Sequence, residues 1–222
     1  ADNMFIINTV YEKNINTIIT TKIEHHAVLH CSEYLNKTNN TKLEFVDIDI
    51  NGVVDISDLE RKLKENPNAL VSLMHGNNEI GNLLDIDMVS NLCLDNGAIF
   101  HSDTVQTVGH YSFNLRKLNI HGIVGSAHKF HGPKGIGFLY LNNNHKISSF
   151  IHGGAQERNM RGGTENVYGI VGLSEALDLA TLNYNDHKLH ILNLKKRMIK
   201  GLKCRIENIK LNGTSGNLDN SL

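Results

Sequence analysis

The chain has 222 residues, 40% of them hydrophobic and 20% charged, with a formal net charge of -1. That length holds one sizeable domain with a buried core, and the near-neutral charge argues against nucleic acid or an anionic membrane as partner. Cys31, Cys93 and Cys204 are odd in number and show no C-x-x-C pairing, and no apolar run reaches a membrane span or a signal-peptide core, so a reduced, cytoplasmic or organelle-matrix protein is expected, not a secreted one.

An apolar-periodic pattern begins almost at Ala1, without a leader or cap, as in a chain that starts inside a domain. A strand is predicted at 16–21, a helix at 26–37 and a second strand at 43–48. A helix at 57–65 follows, opened by Asp55 or Ser57 as N-cap, then a strand at 70–74 and a helix at 86–95. Strands at 98–101, 120–125 and 137–141 complete the pattern. This alternation implies an α/β domain with a mainly parallel, mixed sheet flanked by helices. After Gly163 the character changes: apolar residues from Ile170 to Ala180 have helical spacing, and an apolar-basic stretch runs from Ile191 to Leu202. Two helices, or one kinked helix, are expected there, and the Asn/Gly/Ser-rich run from Leu211 to Leu222 reads as a loop. The chain therefore divides into a sheet domain at 1–166 and a helical segment at 167–222.

The chemistry-bearing residues gather at predicted strand ends. Gly125-Ser126-Ala127-His128-Lys129-Phe130-His131-Gly132-Pro133 presents Ser, His and Lys together on a turn where α/β sheets bind ligands. Upstream, the strand at 98–101 leads into Asp103, with Gln106 about one turn further on. A lysine that can bond a cofactor and a carboxylate that can hold a pyridinium nitrogen protonated are the pair a pyridoxal enzyme needs. Each has an ordinary use as well: an exposed lysine is common, and Asp before a helix is often an N-cap. His75-Gly76-Asn77-Asn78-Glu79-Ile80-Gly81 offers side chains to a ligand or merely makes a turn, and His25, after the first strand, suits stacking on a planar ring or a structural role.

The ordered set I-E-H-H-A-V, H-G-N-N-E-I-G, H-S-D-T-V-Q, S-A-H-K-F-H-G-P-K-G-I-G and G-G-A-Q-E-R-N-M-R-G-G-T-E-N closely resembles the cysteine desulfurases. These are fold-type I pyridoxal-phosphate enzymes of the class V aminotransferase group, and the motifs point to the nitrogen-fixation and iron-sulfur assembly branch. The resemblance implies the large cofactor domain of such an enzyme, with pyridoxal 5'-phosphate as cofactor and Lys129 bonded to it. It implies Asp103 as partner of the pyridine nitrogen and His25 stacked on the ring. It further implies Gln106 and Asn78 near the phenolic oxygen or substrate carboxylate, and Ser126 with His128 on the phosphate. Thr164 resembles the threonine that reaches the neighbouring subunit's cofactor, which implies a homodimer. The implied reaction takes sulfur from L-cysteine, leaves L-alanine, and passes an enzyme persulfide to an iron-sulfur scaffold or other acceptor protein.

The family's phosphate-binding turn is expected just before Ala1, and its small C-terminal domain, with the nucleophilic cysteine, after Leu222. Cys31, Cys93 and Cys204 all fall in helical stretches, where buried, inert thiols are expected. Two further readings stay open: a truncated, non-catalytic module that binds the cofactor and dimerises, and a selenocysteine lyase-like enzyme. Among 13 histidines, the pairs His26/His30 and His187/His190 have helical spacing but no evident third ligand, so no metal is expected.

Overall fold

The computed structural model describes residues 1–216, so the end of the expected loop, from Asn217 to Leu222, lies outside the described residues. Six strands form one sheet: β1 (Thr17–Thr20), β2 (Lys42–Phe45), β3 (Ala69–Ser72), β4 (Ile99–Asp103), β5 (Gly122–Ser126) and β6 (Gly137–Leu141), in the order β2-β1-β3-β4-β5-β6. Every pairing from β2 to β5 is parallel, and β6 runs antiparallel to β5 at the edge. The expected mixed, mainly parallel sheet is therefore present. β1 and β3 are buried at all their positions, which is why they read as continuous β-branched and apolar runs rather than alternating ones.

Helices cover both faces. On one face α3 (Ile56–Glu65) and α4 (Ile86–Asp95) pack Leu59, Leu63, Val89 and Cys93 against Ile19, Val71 and Phe100. Asp55, not Ser57, is the N-cap of α3; its carboxylate accepts from the backbone N–H groups of Ser57 and Asp58. On the other face α1 (Asp2–Glu12) and α2 (His26–Asn39) bury Phe5, Ile6, Val28 and Leu35 against Ile18 and Leu70. The helix α1 is the element the early apolar pattern announced without defining. Its N-cap is Ala1, with no side-chain cap bond, so burial of Phe5, Ile6 and Val10 holds it. Phe5 lies over Gly122, where an added Cβ would run into the ring.

After β6 come a single turn, α5 (Gln156–Asn159), and two helices, α6 (Val167–Leu182) and α7 (Tyr184–Lys203), separated at Asn183. Leu173, Ala176, Leu177 and Ala180 of α6 pack on Ala127 and Phe130 at the end of β5. No residue of α7 is buried. This corrects the expectation for Cys204: it caps α7, a helix with no buried residue, and is exposed, whereas Cys31 and Cys93 are buried as expected. Beyond α7 the chain returns to the loop between β3 and α4, where Thr214 donates its N–H to Asn82 Oδ1 at 2.7 Å and Ser215 donates its hydroxyl to the Ile80 carbonyl at 3.1 Å. Among the described residues no helix is long and apolar enough to cross a membrane.

Candidate active site

Parallel neighbours place their carboxyl ends on one sheet edge, so β1, β3, β4 and β5 deliver their following residues to a common rim. The chain also reverses its direction of travel across the sheet at β1, with β2 on one side and β3 on the other, which makes the gap between β1 and β3 a switch point where ligands bind. His25 follows β1, Asn78 follows β3, Asp103 and Gln106 end and follow β4, and Ser126 to Lys129 end and follow β5.

Asp103 is the deepest of these, 6% exposed at the last position of β4. It caps no helix. Its Oδ1 accepts from Val105 N–H at 2.9 Å, closing a turn that carries half-buried Gln106. Burial, and after it the charge of Asp2, pushes its carboxyl up to about 7, while the Val105 bond and the Lys129 ammonium act in the opposite direction. Lys129 is thus within electrostatic reach of Asp103. It sits exposed in a 3-10 turn, Ala127–Phe130, pinned by the buried side chains of Ala127 and Phe130 and by a 2.9 Å contact between its carbonyl and His110 Nε2. Ser126 Oγ and His128 Nδ1 stand 2.9 Å apart beside it. Lys134 is exposed further along the connection to β6.

His25 is the N-cap of α2: its Nδ1 accepts from Ala27 N–H at 3.1 Å, which fixes an exposed ring at the rim. Asn78 is exposed and donates to Glu79 Oε1 at 2.9 Å. Thr164 is exposed in the loop between α5 and α6, a segment separate from the four strand ends. His26 and His30 stack at 4.7 Å on the exposed side of α2, and no group of three or more metal-ligating side chains occurs among the described residues.

Beneath the rim lies a buried polar layer that sequence reasoning missed. Glu24, 6% exposed, accepts at Oε1 from Met74 N–H at 2.9 Å and from the Thr21 hydroxyl at 3.1 Å. Burial pushes its carboxyl up to about 8, with the Met74 bond opposing and the charges of Asp103 and Asp2 adding to the rise. His101, fully buried on β4, has Nδ1 2.9 Å from Ser72 Oγ and Nε2 3.6 Å from Asp2 Oδ1, and its ring stacks on Phe5 at 4.7 Å. Burial lowers it to about 4. His75, also pushed down to about 4 by burial, contacts Thr107 Oγ1 at 2.9 Å and braces the turn after Asp103. The only sequence signal for this layer was a charged or polar residue beside each strand end.

A model of the aminotransferase class-V family matches residues 1–221. The chain belongs to that family, which is pyridoxal-phosphate dependent. It is 43% identical over 215 residues to the cysteine desulfurase IscS of Clostridium botulinum, covering 96% of this chain and 54% of that protein. Among solved structures, a NifS-like protein superposes with TM-score 0.86 at 38% identity, covering 90% of this chain and 56% of that one. A structure of SspA in complex with cysteine superposes with TM-score 0.75 at 30% identity, covering 80% and 52% respectively. The chain thus spans about half the length of the proteins it matches.

Proposed function

We propose that this chain is the cofactor-binding large domain of a pyridoxal-phosphate-dependent cysteine desulfurase, which removes sulfur from L-cysteine as a persulfide and leaves L-alanine. The observation that carries the reading is the exposed Lys129 amine on a fixed turn within electrostatic reach of the buried Asp103 carboxylate at the neighbouring strand end. The residues fit the cofactor, since a buried carboxylate whose proton affinity lies near neutrality suits sharing a proton with a ring nitrogen. When bound, pyridoxal phosphate supplies an electron sink for the bonds at the substrate's α carbon.

In this reading Lys129 makes the covalent link and moves the proton at that carbon, and Asp103 holds the proton of the ring nitrogen. Ser126 and His128, already paired, turn a hydroxyl and an imidazole to the phosphate. His25, oriented by its bond to Ala27 N–H, lies on the ring face. Gln106 and Asn78 serve the phenolic oxygen and the substrate carboxylate, and Thr164 reaches the cofactor of a second copy in a homodimer. The domain boundary falls at residue 166. L-Cysteine as substrate is supported by the family relatives and by SspA, whose structure contains cysteine. Cys31 and Cys93 are unsuited as nucleophile: burial pushes each thiol up to about 12, out of reach of ionisation near neutrality. An iron-sulfur scaffold or another sulfur acceptor protein receives the sulfur downstream, in a reducing cytoplasm or organelle matrix.

The test is to load the protein with pyridoxal phosphate, reduce with borohydride and map the modified peptide. Label on the peptide containing Lys129, lost in Lys129→Ala with the fold retained, is the expected result. Label on Lys134 overturns the assignment. With L-cysteine added, the full-length protein is expected to form alanine and a protein persulfide in equal amounts.

A further inference from the structure

Glu24 is a buried carboxyl that the reaction does not use, yet it sits where two strand ends meet. Its Oε1 accepts from Thr21, on its own turn after β1, and from the backbone of Met74, after β3. A parallel tie runs beside it, from Asn77 Nδ2 to the Ile23 carbonyl at 2.8 Å. Together they close the switch-point gap between the turn carrying His25 and the loop carrying Asn78. The other oxygen, Oε2, is buried without a hydrogen-bond partner among the described residues, as are Asp2 Oδ1 and His101 Nε2. The groups acting electrostatically on Glu24 are both acidic, Asp103 from β4 and Asp2 from α1.

An ionised carboxylate placed there would be buried beside two other carboxylates with no cation to offset it, a costly arrangement. A neutral acid has no such cost. Its carbonyl oxygen is Oε1, which takes both hydrogen bonds, and its hydroxyl is Oε2.

We propose that Glu24 is a positioning residue that works as a neutral carboxylic acid, tying the His25 turn to the Asn78 loop while leaving Asp103 as the charged group beneath the cofactor ring. This rests on the cofactor reading above. Burial and the two acidic neighbours, which push Glu24 up to about 8, agree with it. Raising the pH through that value ionises Glu24, sets a second negative charge beside Asp103 and loosens the tie.

The experiment compares wild type, Glu24→Gln and Glu24→Ala in two measurements across about pH 6 to 9.5: pyridoxal-phosphate affinity, and thermal unfolding of the cofactor-free protein. Glutamine keeps the shape and the Oε1 acceptor and cannot ionise. The expected result is that Glu24→Gln binds cofactor as wild type near pH 7 and retains affinity above pH 8, where wild type weakens about tenfold. Glu24→Ala is weakened about tenfold throughout. Without cofactor, Glu24→Gln melts progressively higher than wild type as pH rises. Identical pH profiles for wild type and Glu24→Gln in the cofactor-free melts, or a Glu24→Gln protein as weak as Glu24→Ala near neutrality, would overturn the proposal. Failure of the wild type to bind pyridoxal phosphate sinks the cofactor reading instead, and the cofactor-free melts still decide whether Glu24 is a neutral acid.

Discussion

Burial decides which of the chain's nucleophiles can react. Cys31 and Cys93 share the predicted helical setting with Cys204, but the first two face the sheet and the third does not. Mild alkylation of the native protein should modify Cys204 alone, with Cys31 and Cys93 labelled only after denaturation; peptide mapping reads this directly, and native labelling of Cys93 would contradict the packing of α4. Spacing along a helix showed that each cysteine was helical, but whether a tertiary partner covered it was not written locally. The same limit explains the site. Lys129, Asp103, Ser126 and His128 could be picked out because each ends or follows a strand, and the motif order supplied their roles. Glu24 and His101 were passed over because their interest arises from Met74, Ser72 and Asp2, residues distant in the chain that only the fold brings near.

At the level of elements, β1 and β3 were legible because β-branched and apolar residues cluster where the sheet is buried on both faces, and α3 because Asp55 caps it and its apolar face is clean. The helix α1 was not, since it lacks a capping side chain and its stability comes from outside itself. Phe5 is its main anchor, fully buried between His101 and His145 and pressed on Gly122. Phe5→Ala should cost about 3–5 kcal/mol of unfolding free energy, the range for emptying a large buried aromatic site. Asp55→Ala, which removes the two cap bonds of α3, should cost only about 1 kcal/mol. Chemical denaturation measures both, and a Phe5 variant no weaker than the Asp55 variant would mean that α1 is not part of the cooperative core.

For the whole molecule, the buried ionisable groups pull stability in opposite directions with pH. His75, His101 and His145 are each lowered from 6.5 to about 4, first of all by burial. Between those values the unfolded chain binds more protons than the native one, so stability falls as pH drops from 6.5 towards 4. Glu24, raised from 4.5 to about 8, and Asp103, raised from 3.8 to about 7, behave oppositely. There the native state holds the extra protons, so the stability these groups contribute is fully present only below their unfolded values and is lost as pH rises through about 7 to 8. The carboxyls act alone above 6.5, the histidines dominate below 4.5, and the two slopes oppose one another between. Denaturant midpoints of the cofactor-free protein should therefore peak on the acid side of neutrality, within about pH 4.5 to 6.5, and decline towards pH 8. Glu24→Gln should flatten the alkaline decline and steepen the rise between about pH 4.5 and 6.5, where Glu24 opposes the histidines, while leaving the limb below 4.5 in place. A midpoint that stays level from pH 6.5 to about 9 would show that the buried carboxyls beneath the rim are ionised in the native state, because they would then bind no proton in either state over that range.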